Sequence, residues 1–182
     1  MKSIITIFCC FLFVSVSNSQ GKYLTKNGTI NFYSKMPMED ITADNDQVLS
    51  IIDASSGKMA ISILMKSFMF KKALMQEHFN ENYVESDKYP KANFKGSILN
   101  FDALNETVSK AKVKGILTIH GVSKEITIDA NFIKTEETIL VDGEFIIEVD
   151  DFNIEIPAVV AKNIAKKIKV SFNFNHKPFK KK

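Results

Sequence analysis

Arginine and tryptophan are absent from this chain of 182 residues, and cysteine occurs only at Cys9 and Cys10. Every one of the 24 basic side chains is therefore lysine. Without the planar guanidinium fork, which grips phosphates and carboxylates at two points, the sequence argues against a site for a phosphorylated or acidic substrate. Charge is nearly balanced, 24 lysines against 21 acids. No basic stripe interrupts that balance, so a nucleic-acid partner is not expected. Beyond Cys10 no disulfide, thiolate nucleophile or cysteine metal site is available. His78, His120 and His176 are the only histidines, and they lack metal-ligand spacing. A structural hydrogen bond is the simpler role for His78 and His120. No nucleophile-elbow motif appears. The acidic pairs Glu136-Glu137 and Asp150-Asp151 fall in turns and read as solvated charge. No catalytic residue, metal or cofactor is therefore expected.

The N-terminus has a positive Lys2, an apolar run from Ile4 to Val16, and small residues at Ser17-Asn18-Ser19. This pattern reads as a secretory signal over residues 1–19, too short to stay as a membrane anchor. Both cysteines fall inside it. Phe8 precedes Cys9 where lipidation would need a small residue. Residues 20–182 then form one domain, expected in the periplasm or outside the cell. The Lys180-Lys181-Lys182 tail reads as a solvated end, with peripheral membrane contact as the alternative. The oligomeric state stays open, a homodimer included.

Period-two alternation dominates that domain and marks half-buried strands. Ala111, Val113, Gly115, Leu117 and Ile119 share one face, opposite Lys110, Lys112 and Lys114. Similar rows run through Ile126, Ile128, Ala130 and Phe132, through Ile139 to Val149, and through Ile168, Val170, Phe172 and Phe174. Asn27-Gly28 predicts a hairpin between Tyr23–Lys26 and Thr29–Ser34. Asp53 to Gly57, Asp102 to Glu106 and Thr135 to Glu137 predict further turns. Gly115 and Gly143, in mid-strand, predict bends or bulges. Met59 to Phe70 reads as one strand, apolar on both faces in its second half and covered by a helix over Lys71 to Tyr83. In that helix Leu74, Met75, His78 and Phe79 share a face. Asn82, Tyr83, Tyr89 and Pro90 are expected to lock the link from helix to strand. Pro157 to Ala165 is either a first helical turn or an apolar loop. The fold class is all-β with one short helix, an antiparallel barrel or a sandwich, closure being the way to remove exposed edges.

Two blocks carry a family resemblance. One is Leu74-Met75-Gln76-Glu77-His78-Phe79-Asn80-Glu81-Asn82-Tyr83, with Ser86, Tyr89-Pro90, Ala92 and Phe94 after it. The other is Gly115-Ile116-Leu117-Thr118-Ile119-His120-Gly121-Val122-Ser123-Lys124-Glu125. Together they resemble the YceI-like family. Asp151-Phe152-Asn153-Ile154 is similar to a third block, with Asn153 where glycine is expected. The resemblance implies an extended lipocalin-like antiparallel β-barrel holding a long isoprenoid or similar lipid.

By alternation alone, Leu117, Ile119, Ile126, Ile128, Phe145 and Ile147 are core or cavity wall, since small barrels often fill with side chains. The resemblance favours cavity wall. With it, Phe32, Ile61, Ile63, Met65 and Phe68 join the candidate ligand-binding residues. Met75 on the helix, Phe94 and Phe172 complete the set. The expected function is non-catalytic binding or transport of a long apolar amphiphile. The alternatives are a filled-barrel structural or adhesive module, or a secreted hydrolase using His120 or His78.

Overall fold

The computed structural model describes residues 21–35, 40–156 and 166–179. The expected signal segment, the Pro157–Ala165 stretch and the lysine tail lie outside the described residues.

Among the described residues nine strands follow in order: β1 (Lys22–Ser34), β2 (Ile41–Asp53), β3 (Lys58–Leu64), β4 (Met69–Phe70), β5 (Lys91–Ile98), β6 (Ser109–Ile119), β7 (Val122–Lys134), β8 (Ile139–Glu148) and β9 (Lys167–Phe179). A short helix, α1 (Ala73–His78), continues into a wider π-type turn at Phe79–Tyr83. That is where helix was expected. All pairings are antiparallel, in the order β1-β9-β8-β7-β6-β5-β3-β2, and β2 pairs back onto β1. Eight strands thus close a barrel, as the alternation and the need to hide edges require. The two-residue β4 pairs with β2 beyond the end of β3. Several strands are long, with β1, β2, β7 and β9 reaching 13 residues each. At roughly 3.3 Å per residue such a strand spans about 43 Å, enough height for the two ends to differ.

Alternation sets the facing correctly. In β6, Val113 and Leu117 are buried while Lys110, Lys112 and Lys114 are exposed. The exposed lysines pair across the outer surface, Lys112 with Asp129 at 3.0 Å and Lys114 with Glu125 at 3.1 Å.

Four local expectations are corrected. First, Asn27-Gly28 is no hairpin. β1 runs straight through it, and the register with β2 slips there from Thr25↔Ser50 to Gly28↔Val48. Glycine is needed because a Cβ at Gly28 would lie 2.5 Å from Cδ1 of Phe174. Second, Gly115 lies in regular ladders opposite Gly96, while Gly143 pairs regularly with Phe172 but is the last residue of β8 paired to β7. Neither position has room for a side chain: a Cβ at Gly115 would meet the Lys95 carbonyl at 2.4 Å and Phe94 at 2.7 Å, and one at Gly143 would meet Phe172 at 2.8 Å. Third, the strand from Met59 to Phe70 is broken. A 3-10 turn at Met65–Ser67 rotates the chain, so Phe68 turns inward beside Met65 while Leu64 and Met69 point out. Asn45, buried, bridges the break by donating from Nδ2 to the Leu64 carbonyl at 3.1 Å. Fourth, the helix therefore covers no outer face. It crosses one end of the barrel.

Asn153 adopts the left-handed conformation, φ 52°. Asparagine tolerates that region better than other side-chain-bearing residues, so the turn expected to need glycine keeps its geometry.

β7 and β8 exchange ladder pairs only from Ala130↔Gly143 to Lys134↔Ile139. Above Gly143 the two strands continue, each paired to its other neighbour but not to one another. A 3-10 turn at Val149–Phe152 bridges the top of this slit, where Lys124 of β7 forms an ion pair with Asp151.

Candidate functional site: an apolar cavity at one end of the barrel

One end of the barrel is solid. Ile52, Phe132, Ile139, Val141, Phe174 and His176 meet there, each at most 1% exposed. His176 sits in this plug as a neutral ring. Its Nδ1 donates to the Ile139 carbonyl at 3.0 Å, and its Nε2 accepts from the Ser50 hydroxyl at 2.8 Å. Burial pushes its pKa down from 6.5 to about 4, partly opposed by the bond to Ile139. The Ser50–His176 spacing resembles a nucleophile–base pair. Both residues are sealed at 0% exposure and Nδ1 faces a carbonyl rather than a carboxylate, so no substrate reaches them.

The other end is hollow. A cavity of about 430 Å³ lies beneath α1, within the ~300–1,000 Å³ usual for small-molecule sites. A second void of about 50 Å³ lies deeper. Ile30, Ile63, Leu117 and Phe145 line both and form the partition between them. The inward row of β9 shows why the interior opens. Phe174 and Phe172 border the small void, whereas Val170 and Ile168 border the large one. Smaller side chains leave the bore unfilled.

The fourteen candidate residues separate by depth. Phe32, Ile63, Met65, Phe68, Met75, Leu117, Ile119, Phe145 and Ile147 line the large cavity. Ile61, Phe94, Ile126, Ile128 and Phe172 line the small void. The alternation marked Val149 but not the rest of the upper wall, where Ile154 and Ile156 lie outside regular strands and Tyr83 and Val84 follow α1. Ser34 and Ile41, a pair at the β1–β2 junction, were also missed. Among the described residues the lining includes no Lys, Asp or Glu. Its polar members are Ser34, His78 and Tyr83, and burial raises the Tyr83 hydroxyl pKa.

Aromatic contacts hold α1 against the wall. Phe79 lies 5.0 Å from Phe70 and 5.6 Å from both Phe32 and Phe68, ring centre to ring centre. Such pairs add about 0.5–1.5 kcal/mol each beyond burial. The following loop is fastened by His120. Its Nε2 lies 2.6 Å from the Glu85 carboxylate and its Nδ1 3.2 Å from the Phe152 carbonyl. Both partners are hydrogen-bond acceptors. The bond from His120 lowers the Glu85 pKa. Tyr89 packs edge-on against His120 at 4.5 Å. Gly121 leaves space for that ring, since a Cβ there would meet Tyr89 at 2.7 Å. The two sequence blocks thus meet at one corner of the mouth, and the locking role expected of Tyr89 is realised there. His78 has no part in it and stands exposed on the cavity rim. Among the described residues, no group of three or more His, Cys, Asp or Glu side chains could hold a metal ion.

Comparison with solved structures returns the same architecture. A polyisoprenoid binding domain from Saccharophagus degradans, implicated in plant cell wall breakdown, superposes with a TM-score of 0.76 at 17% identity, covering 88% of this chain and 99% of that one. BcnA of Burkholderia cenocepacia gives 0.69 at 18% identity, over 81% and 95%. Comparison with curated proteins gives no match. The YceI-like domain model matches residues 14–176. With that match spanning the barrel and both sequence blocks joined at its mouth, the chain belongs to the YceI-like domain family.

Proposed function

We propose that this protein binds a long apolar amphiphile, an isoprenoid or similar lipid, in the hollow end of its barrel and catalyses no reaction. The observation that carries the reading is the cavity of about 430 Å³, whose wall is almost wholly hydrocarbon and aromatic. The polyisoprenoid binding named for the Saccharophagus degradans domain supports the same ligand class. The N-terminal pattern favours a periplasmic or secreted site of action, with residues 1–19 removed.

Burying a methylene contributes roughly 0.8 kcal/mol, hence roughly 4 kcal/mol gross for a five-carbon isoprene unit. Eight units would sum to about 30 kcal/mol, beyond the ceiling of about 20 for non-covalent binding. Ordering a flexible chain opposes the gain. Affinity therefore rises with chain length only until the cavity is full. Selection acts on length and shape, because one methylene more or less discriminates poorly.

Native mass spectrometry after gentle purification, followed by lipid extraction, tests the proposal. The expected result is a passenger of defined mass that partitions into organic solvent. Protein that emerges empty and ignores every long-chain lipid offered, across a graded length series, overturns it.

A further inference from the structure

α1 and the π-type turn after it carry polar side chains of two kinds. Glu77, Glu81 and Asn82 are exposed and lie outside the cavity lining, whereas His78 and Tyr83 belong to it. In a plain α-helix two residues five apart point about 140° away from one another, so His78 and Tyr83 would not face one cavity. The wide turn changes this. Its bond runs from the Val84 N–H to the Phe79 carbonyl at 3.0 Å, and an i→i+5 bond brings residues five apart onto one side. Both such pairs, Phe79 with Val84 and His78 with Tyr83, line the cavity. Asn80, outside the lining, holds the widened backbone: its Nδ2 donates to the Gln76 carbonyl at 2.9 Å, and its own carbonyl accepts from the Ser86 N–H at 2.8 Å.

The cavity wall thus changes character with height. Ile30, Ile63, Leu117 and Phe145 close its inner end with hydrocarbon and one ring. Toward solvent, Tyr83 is half-buried and His78 is exposed. Ser34, also in the lining, differs from both, because its hydroxyl is buried. An amphiphile asks for this gradient. Its tail gains by leaving water, and its head must keep hydrogen-bond partners or lose its hydration uncompensated.

We propose that His78 and Tyr83 form the head-group site of the bound amphiphile, hydrogen-bonding an oxygen of its polar head at the cavity rim while the tail runs inward past Phe79 toward Leu117 and Phe145. The proposal rests on the lipid-binding reading above and specifies the ligand's orientation. A phenol hydroxyl and an imidazole N–H both donate to an alcohol or phosphate oxygen, and the hydroxyl also accepts from an alcohol. Both side chains have an apolar body and a polar tip, so the rings cover the first carbons of the tail while the tips meet the head.

The test uses three ligands with one carbon skeleton: a long-chain prenol, its phosphate, and the hydrocarbon lacking the hydroxyl. They are titrated against the wild type, Tyr83→Phe and His78→Leu. The readout is the dissociation constant of the hydrocarbon divided by that of the oxygen-bearing ligand the wild type holds more tightly, a comparison that also tells an alcohol head from a phosphate. This ratio is expected to fall by about fivefold in each variant, the worth of one neutral hydrogen bond. Hydrocarbon affinity should stay unchanged in Tyr83→Phe, which keeps the ring. A merely structural role would weaken all ligands alike and leave the ratio as it was, so a ratio that survives either substitution overturns the assignment. In the wild type, a prenol isotope-labelled at its head carbon should show nuclear Overhauser contacts to the Tyr83 ring. Contacts from that carbon to Leu117 instead overturn the orientation. If the wild type binds none of the three ligands, the lipid-binding reading itself fails.

Discussion

β9 passes through both ends of the barrel, and its inward row changes character on the way. In the solid end it contributes His176 and Phe174, each at most 1% exposed, with Phe174 fitted against the bare backbone of Gly28. In the hollow end it contributes Val170 and Ile168, which face empty space. The backbone is the same and so is the alternation; only side-chain volume differs. The comparison teaches that one continuous set of strands divides its labour by height. Close-packed rings hold the fold at one end, and the bore is left underfilled at the other.

The division predicts unequal costs. Phe174→Ala should be the most damaging, losing about 3–5 kcal/mol of stability in urea unfolding. A loss below about 1 kcal/mol would break the comparison.

Acid should weaken the solid end next. Burial holds the His176 pKa at about 4, against 6.5 for a free ring. The unfolded chain therefore takes up its proton first as pH falls. The contribution is fully present above about pH 6.5 and is lost progressively down to about pH 4, at about 1.4 kcal/mol per pH unit and roughly 3 kcal/mol in all. Unfolding curves at pH 7, 6, 5 and 4 check this. A contribution from His176 that is flat across that range, judged against His176→Gln, would contradict it.

Ile147→Ala in the hollow end should cost only about 1–2 kcal/mol, because atoms that face a void have fewer contacts to lose. It should weaken lipid binding measurably, whereas Phe174→Ala, if it folds, should weaken binding less. The smallest effect is expected from Lys112→Glu on the outer surface. Beside Asp129 it exchanges an exposed ion pair for an exposed repulsion, and stability should move by under about 0.5 kcal/mol.

Much of this was legible in the sequence. Period-two rows give each strand its facing, and all fourteen candidate residues face one of the two voids. What the rows could not show depends on contacts between distant strands. Asn27-Gly28 suits a hairpin by local rules, and only Phe174 across the barrel explains why it is a bulge instead. Gly143 likewise reads as a bend until Phe172 is placed over it. Where the bore is full and where it is hollow depends on volumes summed around the circumference. Ser34 escaped notice because a lone serine at a strand end carries no pattern. The break at Met65–Ser67 was hidden because every residue from Met65 to Phe70 except Lys66 and Ser67 is apolar, so no polar row marked the rotation.

A barrel with an unbroken ladder has a girth fixed by its strand number. This one does not along part of its height, because β7 and β8 share no ladder pairs above Gly143. The staves there are tied by the Lys124–Asp151 ion pair at the top and by side-chain packing, not by a ladder. On this flank, where Ile126, Ile128, Phe145 and Ile147 border the two voids, the wall is closed by side chains in place of backbone bonds, so its girth is set by what those side chains fill.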